Sequence, residues 1–308
     1  MLQQTRVAAV LSYFARFMDE LPTAADLAAV PEDRLLKLWQ GLGYYNRARN
    51  LRKAAGQIME DFGGEFPHTY EEILSLSGVG EYTAGAIASI AFGIPAAAVD
   101  GNVLRLTARI AGDSTDITAP VMKKKVTRAL EEIIPLDRPG DFNQALMELG
   151  ATVCLPNGAP LCDRCPARNF CAAHLTGRTD ELPVRAAKKM RRVEERIVFL
   201  IFREGRVALR RREPKGLLGA LWEYPNELAP AEGALARWGI VPVSAEYGAA
   251  GKHIFTHIEW HMTSLVIKAS SDVLPAGWVW ADASALKQDY AVPNAFSDFT
   301  YLIDKMLS

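Results

Sequence analysis

The sequence predicts a mainly α-helical domain followed by a smaller α+β domain. Up to about residue 176, apolar residues repeat at steps of three and four, which is the period of a helix. After residue 196 the pattern changes to runs rich in β-branched and aromatic residues. Between them lies a basic stretch, since residues 183–215 hold 12 Lys or Arg against 4 Asp or Glu. We therefore expect a first domain at 1–176, a basic linker at 177–196 and a second domain at 197–308.

The composition is typical of a globular protein with room for two cores. The 308 residues are 49% hydrophobic and 23% charged, with a formal net charge of −1. No apolar run reaches the ~20 residues that a membrane-spanning helix needs, and there is no signal peptide, so we expect a cytoplasmic monomer with no membrane partner. The near-neutral charge excludes a uniformly basic nucleic-acid binder. The basic stretch could still follow a phosphate backbone, or be a solvated linker.

The helical pattern is already running where the chain starts. In MLQQTRVAAVLSYFARFM the apolar spacing predicts one buried face made of Val7, Val10, Leu11, Phe14, Ala15 and Met18. Nothing before Leu2 could act as an N-cap. Two interpretations remain: a helix that frays at its first turn, or a chain that begins inside a helix whose first part is missing.

Further helices and then strands follow along the chain. PEDRLLKLWQGLG, HTYEEILSLSG, PVMKKKVTRALEEII and DFNQALMELGATV have helical spacing. ERIVFLIFREGRVALRRR predicts a hairpin that turns at Glu204 and Gly205, and HIFTHIEWHMTSLVIKAS predicts a long strand. AEGALARW and NAFSDFTYLIDKML predict helices in the second domain.

All four cysteines lie between residues 154 and 171, in the pattern Cys-x7-Cys-x2-Cys-x5-Cys. They are Cys154, Cys162, Cys165 and Cys171. A secreted disulfide scaffold would scatter its cysteines, and a reduced cytosol would not keep them paired, so the cluster predicts a metal centre. Four thiolates this close can enclose a zinc ion or an iron–sulfur cluster, and the spacing leaves both open.

Three stretches of the first domain have features of a functional site. In LSGVGEYTAGAI, Gly78-Val79-Gly80 separates two helical patterns and could bring backbone N–H groups to a phosphate, although any helical hairpin can use such glycines. In VDGNVLRLTARI, Asp100 begins an amphipathic helix, where a plain N-cap is the simpler interpretation. In GLGYYNRARNLRK, two aromatic residues precede a basic run, which suits base stacking with phosphate contact or a core tyrosine pair.

In this order and spacing, the stretches resemble the helix-hairpin-helix DNA glycosylase superfamily, which includes endonuclease III, and within it the MutY-type adenine DNA glycosylases. The resemblance covers essentially the whole chain and rests on LQQT, GLGYY-x-RARNL, L-x-G-VG-x-x-TAGAI, VDGNV, FNQALMELGA and the cysteines. It implies a mainly α helix-hairpin-helix glycosylase domain with an iron–sulfur cluster loop at 154–171, followed by a smaller α+β Nudix-like domain. The cofactor that it implies is a [4Fe–4S] cluster rather than zinc.

The resemblance also implies removal of adenine mispaired with 8-oxoguanine, so the expected partner is duplex DNA and the expected location the nucleoid. Asp100 is implied as the carboxylate that stabilises the sugar cation, with Asn102 and Tyr82 holding the site. Gln144 is implied to line the adenine pocket. The residues implied to contact DNA are Gln4 and Tyr44, which enter the duplex, and Gly78, Val79 and Gly80.

Tyr82 separates two branches of the superfamily. Endonuclease III-like enzymes carry a lysine at this position, and around the aspartate they resemble VDTH rather than VDGN. Without an amine nucleophile no Schiff base can form, so the expected chemistry is monofunctional base excision. An endonuclease III-like glycosylase/lyase is a less favoured alternative. A second alternative is a protein that binds 8-oxoguanine:adenine mispairs without cutting them.

The second domain resembles the family's Nudix-related module for reading 8-oxoguanine. EPKGLLGALWEYP resembles the start of a Nudix segment, but the acidic stretch that binds metal in Nudix hydrolases does not follow it. We therefore expect recognition rather than nucleotide hydrolysis. The family's Phe-Ser-His lesion-reading motif appears here as Phe255, Thr256 and His257.

Two departures from the family pattern concern the cysteine loop and the chain start. In the family, six residues usually lie between the first two cysteines, and here seven residues do. In the family, the helix with LQQT begins earlier and carries a general-acid glutamate two residues before the position of Met1. We therefore expect an amino-terminally shortened form that binds DNA weakly and excises adenine slowly or not at all.

Overall fold

A computed structural model of the chain describes residues 1–3, 5, 7–187 and 190–308. It contains two compact units, one of residues 57–188 and one of residues 1–56 together with 189–308. The units group the chain differently from the predicted domains, because residues 1–56 share a core with residues from the second half. Leu221 and Ala291 pack in the same apolar cluster as Trp39 and Leu42. The predicted domain boundaries stay a prediction from sequence.

Up to residue 175, the described chain consists of helices joined by loops, as the spacing predicts. They are α1 (Val7–Glu20), α2 (Ala24–Ala29), α3 (Glu32–Trp39), α4 (Asn46–Asp61), α5 (Tyr70–Ser75), α6 (Glu81–Phe92), α7 (Gly101–Ala111), α8 (Pro120–Glu131), α9 (Pro139–Thr152) and α10 (Ala172–Leu175). Thr23 and Thr69 begin α2 and α5 with capping boxes, which satisfy N–H groups of the first turn. Among the described helices, none is long and apolar enough to cross a membrane.

Helix α1 buries a different face from the one that its spacing predicts. Val10 and Phe17 are buried, and the Phe17 ring meets the Trp39 ring edge-on with 5.9 Å between centroids. The large side chains of the predicted face that lie exposed instead are Val7, Leu11, Phe14 and Met18. The prediction is wrong for these residues because apolar side chains occur on both sides of the helix. Spacing alone does not show which side packs.

In the unit of residues 57–188, close helix packing positions the start of α7. A Cβ on Gly150 of α9 would lie 2.7 Å from the Asn102 side chain. A Cβ on Gly85 of α6 would overlap the Ala97 carbonyl oxygen. Only glycine allows these approaches, so α6 and α9 both pack tightly on the segment that contains Asp100.

The second half of the chain forms a mixed sheet flanked by short helices. Its elements are β1 (Arg192–Arg203), β2 (Arg206–Arg211), β3 (Trp222–Glu223), β4 (Asn226–Leu228), α11 (Ala234–Arg237), β5 (Pro242–Ile254), β6 (Ile258–Ala269), β7 (Trp278–Ala281), α12 (Ala283–Gln288) and α13 (Thr300–Leu307). The strand order is β3-β2-β1-β6-β5, with β4 paired to β1 and β7 paired to β2. The β1–β6 pair is parallel, whereas β2 and β5 pair antiparallel with their neighbours.

The predicted hairpin is confirmed and the predicted long strand needs a correction. Glu204 and Gly205 form the turn between β1 and β2, with φ of 46° and 68°. The segment 253–270 is not one strand, since β5 ends at Ile254 and β6 begins at Ile258. The Phe255 N–H donates to the Ile258 carbonyl at 2.8 Å, which closes a tight turn between the two strands. Helix α11 confirms the helix predicted in AEGALARW, and α13 confirms the second half of the helix predicted in NAFSDFTYLIDKML, whose first half, Asn294–Phe299, is a 3-10 helix.

Candidate functional site

Asp100 is held in one orientation at the start of α7. Its Oδ1 accepts the backbone N–H groups of Asn102 and Val103, each at 2.8 Å. Its Oδ2 accepts the side-chain amide of Asn102 at 2.9 Å. The carboxylate is half-buried and lies where the helix dipole favours a negative charge. The N-cap interpretation is thus correct, and it leaves a fixed, partly accessible carboxylate.

A chain of hydrogen bonds runs from Asp100 to the cysteine loop. Arg105 is 3% exposed, and its Nη2 donates to Asn102 Oδ1 at 2.9 Å and to the Gly150 carbonyl at 2.6 Å. Its Nε donates to the Cys154 carbonyl at 2.8 Å. Burial lowers the pKa of Arg105. The guanidinium therefore orients the Asn102 amide toward Asp100.

Tyr82, in the first turn of α6, lies near Asp100. Burial first, and then the Asp100 charge, raise the pKa of the Tyr82 phenol, so the side chain is neutral at neutral pH. Its hydroxyl donates to the Met147 sulfur at 3.4 Å. The structure thus brings together Asp100, Asn102 and Tyr82, as the resemblance implies.

On α9 the structure distinguishes two neighbouring polar residues. Gln144 is exposed, and its Nε2 donates to the Gly140 carbonyl at 3.3 Å. Asn143 is fully buried and ties α9 to the segment before Asp100, since its Oδ1 accepts the Ala98 N–H at 3.0 Å and its Nδ2 donates to the Ala96 carbonyl at 2.9 Å. Asn143 is not among the residues predicted from the sequence. An asparagine inside an amphipathic helix was the available signal, because a buried amide needs partners.

The Gly78-Val79-Gly80 turn joins α5 to α6. Gly78 has φ +78°, a conformation that favours glycine, and the Val79 N–H donates to the Leu76 carbonyl at 3.0 Å. Gly80 is the N-cap of α6 and has no side chain to cap the first turn. Both glycines are exposed. The N–H groups at this helix start can therefore receive an anion such as a phosphate.

The four cysteines line one small cavity. Burial, and after it the proximity of the other three thiols, raise the pKa of the Cys162 thiol. Among the described residues, no group of three or more His, Cys, Asp or Glu could hold a metal ion as placed. The thiols thus surround a shared space without converging on one point.

Arg109 braces this cavity from α7. Its Nη1 donates to the Cys154 sulfur at 3.3 Å and to the Leu155 carbonyl at 3.1 Å, and its Nε donates to the Leu182 carbonyl at 2.7 Å. Arg109 therefore holds the Cys154 side chain and two backbone carbonyls together at the wall of this cavity.

The predicted lesion-reading residues form the tip between β5 and β6. Phe255 is half-buried, and its ring lies 4.9 Å from that of Trp260, whereas Thr256 and His257 are exposed. The Arg192 N–H donates to the His257 carbonyl, and Arg191 Nε donates to the Phe255 carbonyl, both at 3.1 Å. The tip is thus fixed on one side and open on the other.

Tyr44 lies in the loop between α3 and α4 and is 53% exposed, with φ 49°. The guanidinium of Arg47 lies over its ring at 5.4 Å from the centroid. An exposed aromatic ring backed by a cation is suited to stacking on a base. Gln4, predicted to enter the duplex beside Tyr44, lies outside the described residues.

Comparison with known families matches two regions of the chain. Residues 1–135 match the HhH-GPD superfamily base excision DNA repair protein model, and residues 197–300 match the NUDIX domain model. The helical part and the mixed sheet thus correspond to a helix-hairpin-helix glycosylase domain followed by a Nudix-like domain.

Comparison with individual proteins also finds similarity to DNA glycosylases. The adenine DNA glycosylase of Mus musculus is 35% identical over 338 residues, which cover 91% of this chain and 65% of the relative. That of Schizosaccharomyces pombe is 30% identical over 347 residues, which cover 93% of this chain and 75% of the relative. A solved thermostable thymine-DNA glycosylase is 29% identical with a TM-score of 0.52, covering 57% of this chain and 80% of that chain. The chain therefore spans 65% of the length of the mouse relative.

Proposed function

The chain belongs to the adenine DNA glycosylase family, and on that premise we propose that it hydrolyses the N-glycosidic bond of adenine paired with 8-oxoguanine or guanine in duplex DNA. The observation that carries the proposal is the Asp100 carboxylate, held by three hydrogen bonds at the head of α7. Breaking the glycosidic bond requires a negative charge in a fixed position, and the three hydrogen bonds fix the Asp100 carboxylate.

The bond to be broken explains the role of Asp100. When the bond between the sugar carbon and the adenine nitrogen breaks, its electron pair leaves with the base and positive charge develops on the sugar. An ionised carboxylate beside the sugar stabilises that charge and directs the incoming water. The water oxygen bonds to the sugar carbon and loses a proton, and the departing adenine takes up a proton from solvent. Asn102 prevents the carboxylate from turning away, because it holds Oδ2 at 2.9 Å.

Tyr82 favours hydrolysis over a lyase reaction. A lyase requires an amine to attack the sugar carbon, and the phenol of Tyr82 cannot form a Schiff base. Its raised pKa keeps it protonated, and its hydroxyl is directed to Met147. We assign it to the wall of the site, and the product is an intact strand with one base missing.

We also propose that the four cysteines hold a [4Fe–4S] cluster. The donor set fits, since four thiols line one cavity with the buried Arg109 beside them. When bound, such a cluster ties together the segments around residues 154–171 and takes no part in breaking the glycosidic bond. Arg105 and Arg109 join this region to the helix that carries Asp100.

Binding of the mispair is assigned to three surfaces. The exposed turn at residues 78–80 receives a backbone phosphate, and Tyr44 stacks within the duplex after the target base leaves it. The tip with Thr256 reads 8-oxoguanine through an exposed hydroxyl. No acidic stretch of the kind that binds metal in Nudix hydrolases follows EPKGLLGALWEYP, which supports recognition rather than nucleotide hydrolysis.

The test is product analysis with protein in excess over a duplex that contains adenine opposite 8-oxoguanine. We expect free adenine to accumulate while the strand stays intact until alkali is added. Strand cleavage without alkali, or a covalent complex trapped by borohydride, would show a lyase. Tight, selective binding with no adenine release after long incubation would show a binding protein.

A further inference from the structure

The loop of residues 40–45, here called the Tyr44 loop, is held at both ends by the second half of the chain. It connects α3 to α4, and Gly41 and Gly43 have φ of +103° and +69°. These conformations strongly favour glycine, so the path of the loop is set by its own residues. What fixes the loop to the rest of its unit is a set of side chains on its two flanks.

On the first flank, Lys37 and Gln40 form hydrogen bonds to the backbone of residues 286–292, here called the α12 strip. Lys37 Nζ donates to the carbonyl groups of Leu286 at 2.8 Å and Tyr290 at 3.0 Å, and to Gln40 Oε1 at 2.7 Å. Gln40 Nε2 donates to the Val292 carbonyl at 2.6 Å. Gln40 is also the C-cap of α3, so the bond to Val292 is made by the first residue of the Tyr44 loop.

On the second flank, Arg49 forms a hydrogen bond to the loop before β3. Its guanidinium donates to the Gly219 carbonyl, while its Nε donates to Glu32 at 2.7 Å and its Nη1 to Asn46 at 3.1 Å. Arg49 thereby lowers the pKa of Glu32, which remains ionised. One side chain thus joins α3, the start of α4 and the loop before β3.

The hydrogen bonds between Lys37 and the α12 strip have a defined geometry and lie in a partly buried place. The three acceptors of Lys37 are neutral oxygens, and burial lowers the pKa of Lys37 to about 8, with the Asp289 charge opposing and Arg34 adding to the shift. Leu221 and Ala291 are buried beside Trp39 in the same cluster. Moving the Tyr44 loop away from the α12 strip would leave a partly desolvated cation without its acceptors.

We infer that Lys37, Gln40 and Arg49 are positioning residues that fix the Tyr44 loop to the domain that bears the lesion-reading tip, so that stacking by Tyr44 and reading of the lesion form one coupled binding event. The inference rests on the proposed function and adds a mechanism of coordination to it. It concerns binding alone and requires no chemical step.

The test is a double-mutant cycle on DNA affinity. Kd is measured for a duplex with 2′-fluoroadenine, which resists excision, opposite 8-oxoguanine, using the parent, Tyr44→Ser, Thr256→Val and the double variant. The cycle is repeated in a Lys37→Met/Gln40→Ala background. In the parent background we expect non-additivity of about 3- to 10-fold, as for residues in one network. In the loosened background the effects should add within about twofold.

Controls separate positioning from folding. Lys287→Met removes an exposed lysine of the α12 strip and should leave the coupling intact. If the Lys37→Met/Gln40→Ala protein does not fold, Gln40→Ala alone removes the Val292 bond and serves in its place. Coupling that survives in the loosened background, or is absent from the parent, overturns the inference. If the parent protein binds the mispair duplex and a G:C duplex with equal Kd, that result contradicts the proposed function instead.

Discussion

Asp100 and Asn102 hold each other through two hydrogen bonds, one from the Asn102 backbone to Asp100 Oδ1 at 2.8 Å and one from its side chain to Oδ2 at 2.9 Å. The same carboxylate caps α7 and, in the function proposed above, also stabilises the sugar cation. These two roles separate by substitution, because asparagine caps a helix as well as aspartate does but carries no charge.

The cap gives the first prediction. Asp100→Ala should lower the free energy of unfolding by about 1 kcal/mol, the usual effect of losing an N-cap. Asp100→Asn should lower it less, because its amide oxygen can still cap α7 although its NH2 group cannot accept from the Asn102 side chain. Urea unfolding followed by circular dichroism measures both. Equal stability of the alanine and asparagine variants would show that the cap contributes little here.

The second prediction concerns the cysteine cavity. Protein purified anaerobically should be brown and contain about four irons and four sulfides per chain. Stoichiometric zinc without acid-labile sulfide would reject the cluster. Cys165→Ala should raise hydrogen exchange around residues 154–171, because these segments lose their common tie. Faster exchange spread evenly over the whole chain would argue against a local structural role.

The third prediction concerns lesion reading. Thr256→Val keeps the shape of the exposed side chain at the β5–β6 tip and removes its hydroxyl. The preference for 8-oxoguanine over guanine opposite adenine should fall by about 5- to 150-fold, the value of one good base-edge contact. Thr256→Ser is the matched control and should retain the preference. A valine protein that discriminates like the parent would remove Thr256 from the recognition surface.

The fourth prediction is a pH dependence at Asp113. A hydrogen bond from Lys125 at 2.6 Å, and then one from the Thr115 N–H at 2.8 Å, lower the pKa of Asp113 to about 2. The unfolded state therefore binds the proton first on acidification, so the stabilisation is complete above pH ~4 and is lost as the pH falls toward 2. Asp113→Asn should cost about 1 kcal/mol at pH 7, reduced from the full linkage value because Lys125 is 66% exposed.

Denaturation of the Asp113→Asn and parent proteins between pH 7 and pH 3 checks this. The difference should stay constant down to about pH 4 and then shrink. Lys125→Met should reproduce most of the effect. A difference that is unchanged at pH 3 would place the stabilisation in something other than the charge of Asp113.

The local parts of the site were predictable from sequence because short motifs carry them. Asp100 and Asn102 are two positions apart, and the Gly78–Gly80 turn lies within one segment. Residues that act across the fold left weaker signals. Asn143 holds the segment before Asp100 from 45 residues away, and nothing in its own neighbourhood names that partner.

Packing choices were also beyond the sequence. Helix α1 has apolar side chains on two sides, and only the position of Trp39 shows that Phe17, not Phe14, is buried. The sequence around Lys37 is typical of an amphipathic helix with an exposed lysine. Its Nζ nevertheless donates hydrogen bonds to carbonyl groups 249 and 253 residues away. A pattern of single residues does not encode such pairs.

The proposed reaction depends most directly on Asp100, and single-turnover adenine release tests it. Parent and Asp100→Asn proteins are compared in excess over the 8-oxoguanine:adenine duplex, at concentrations that saturate binding. We expect the asparagine protein to fold and to bind the duplex but to release adenine at least about 100-fold more slowly than the parent. Equal rates of adenine release by the two proteins would contradict it.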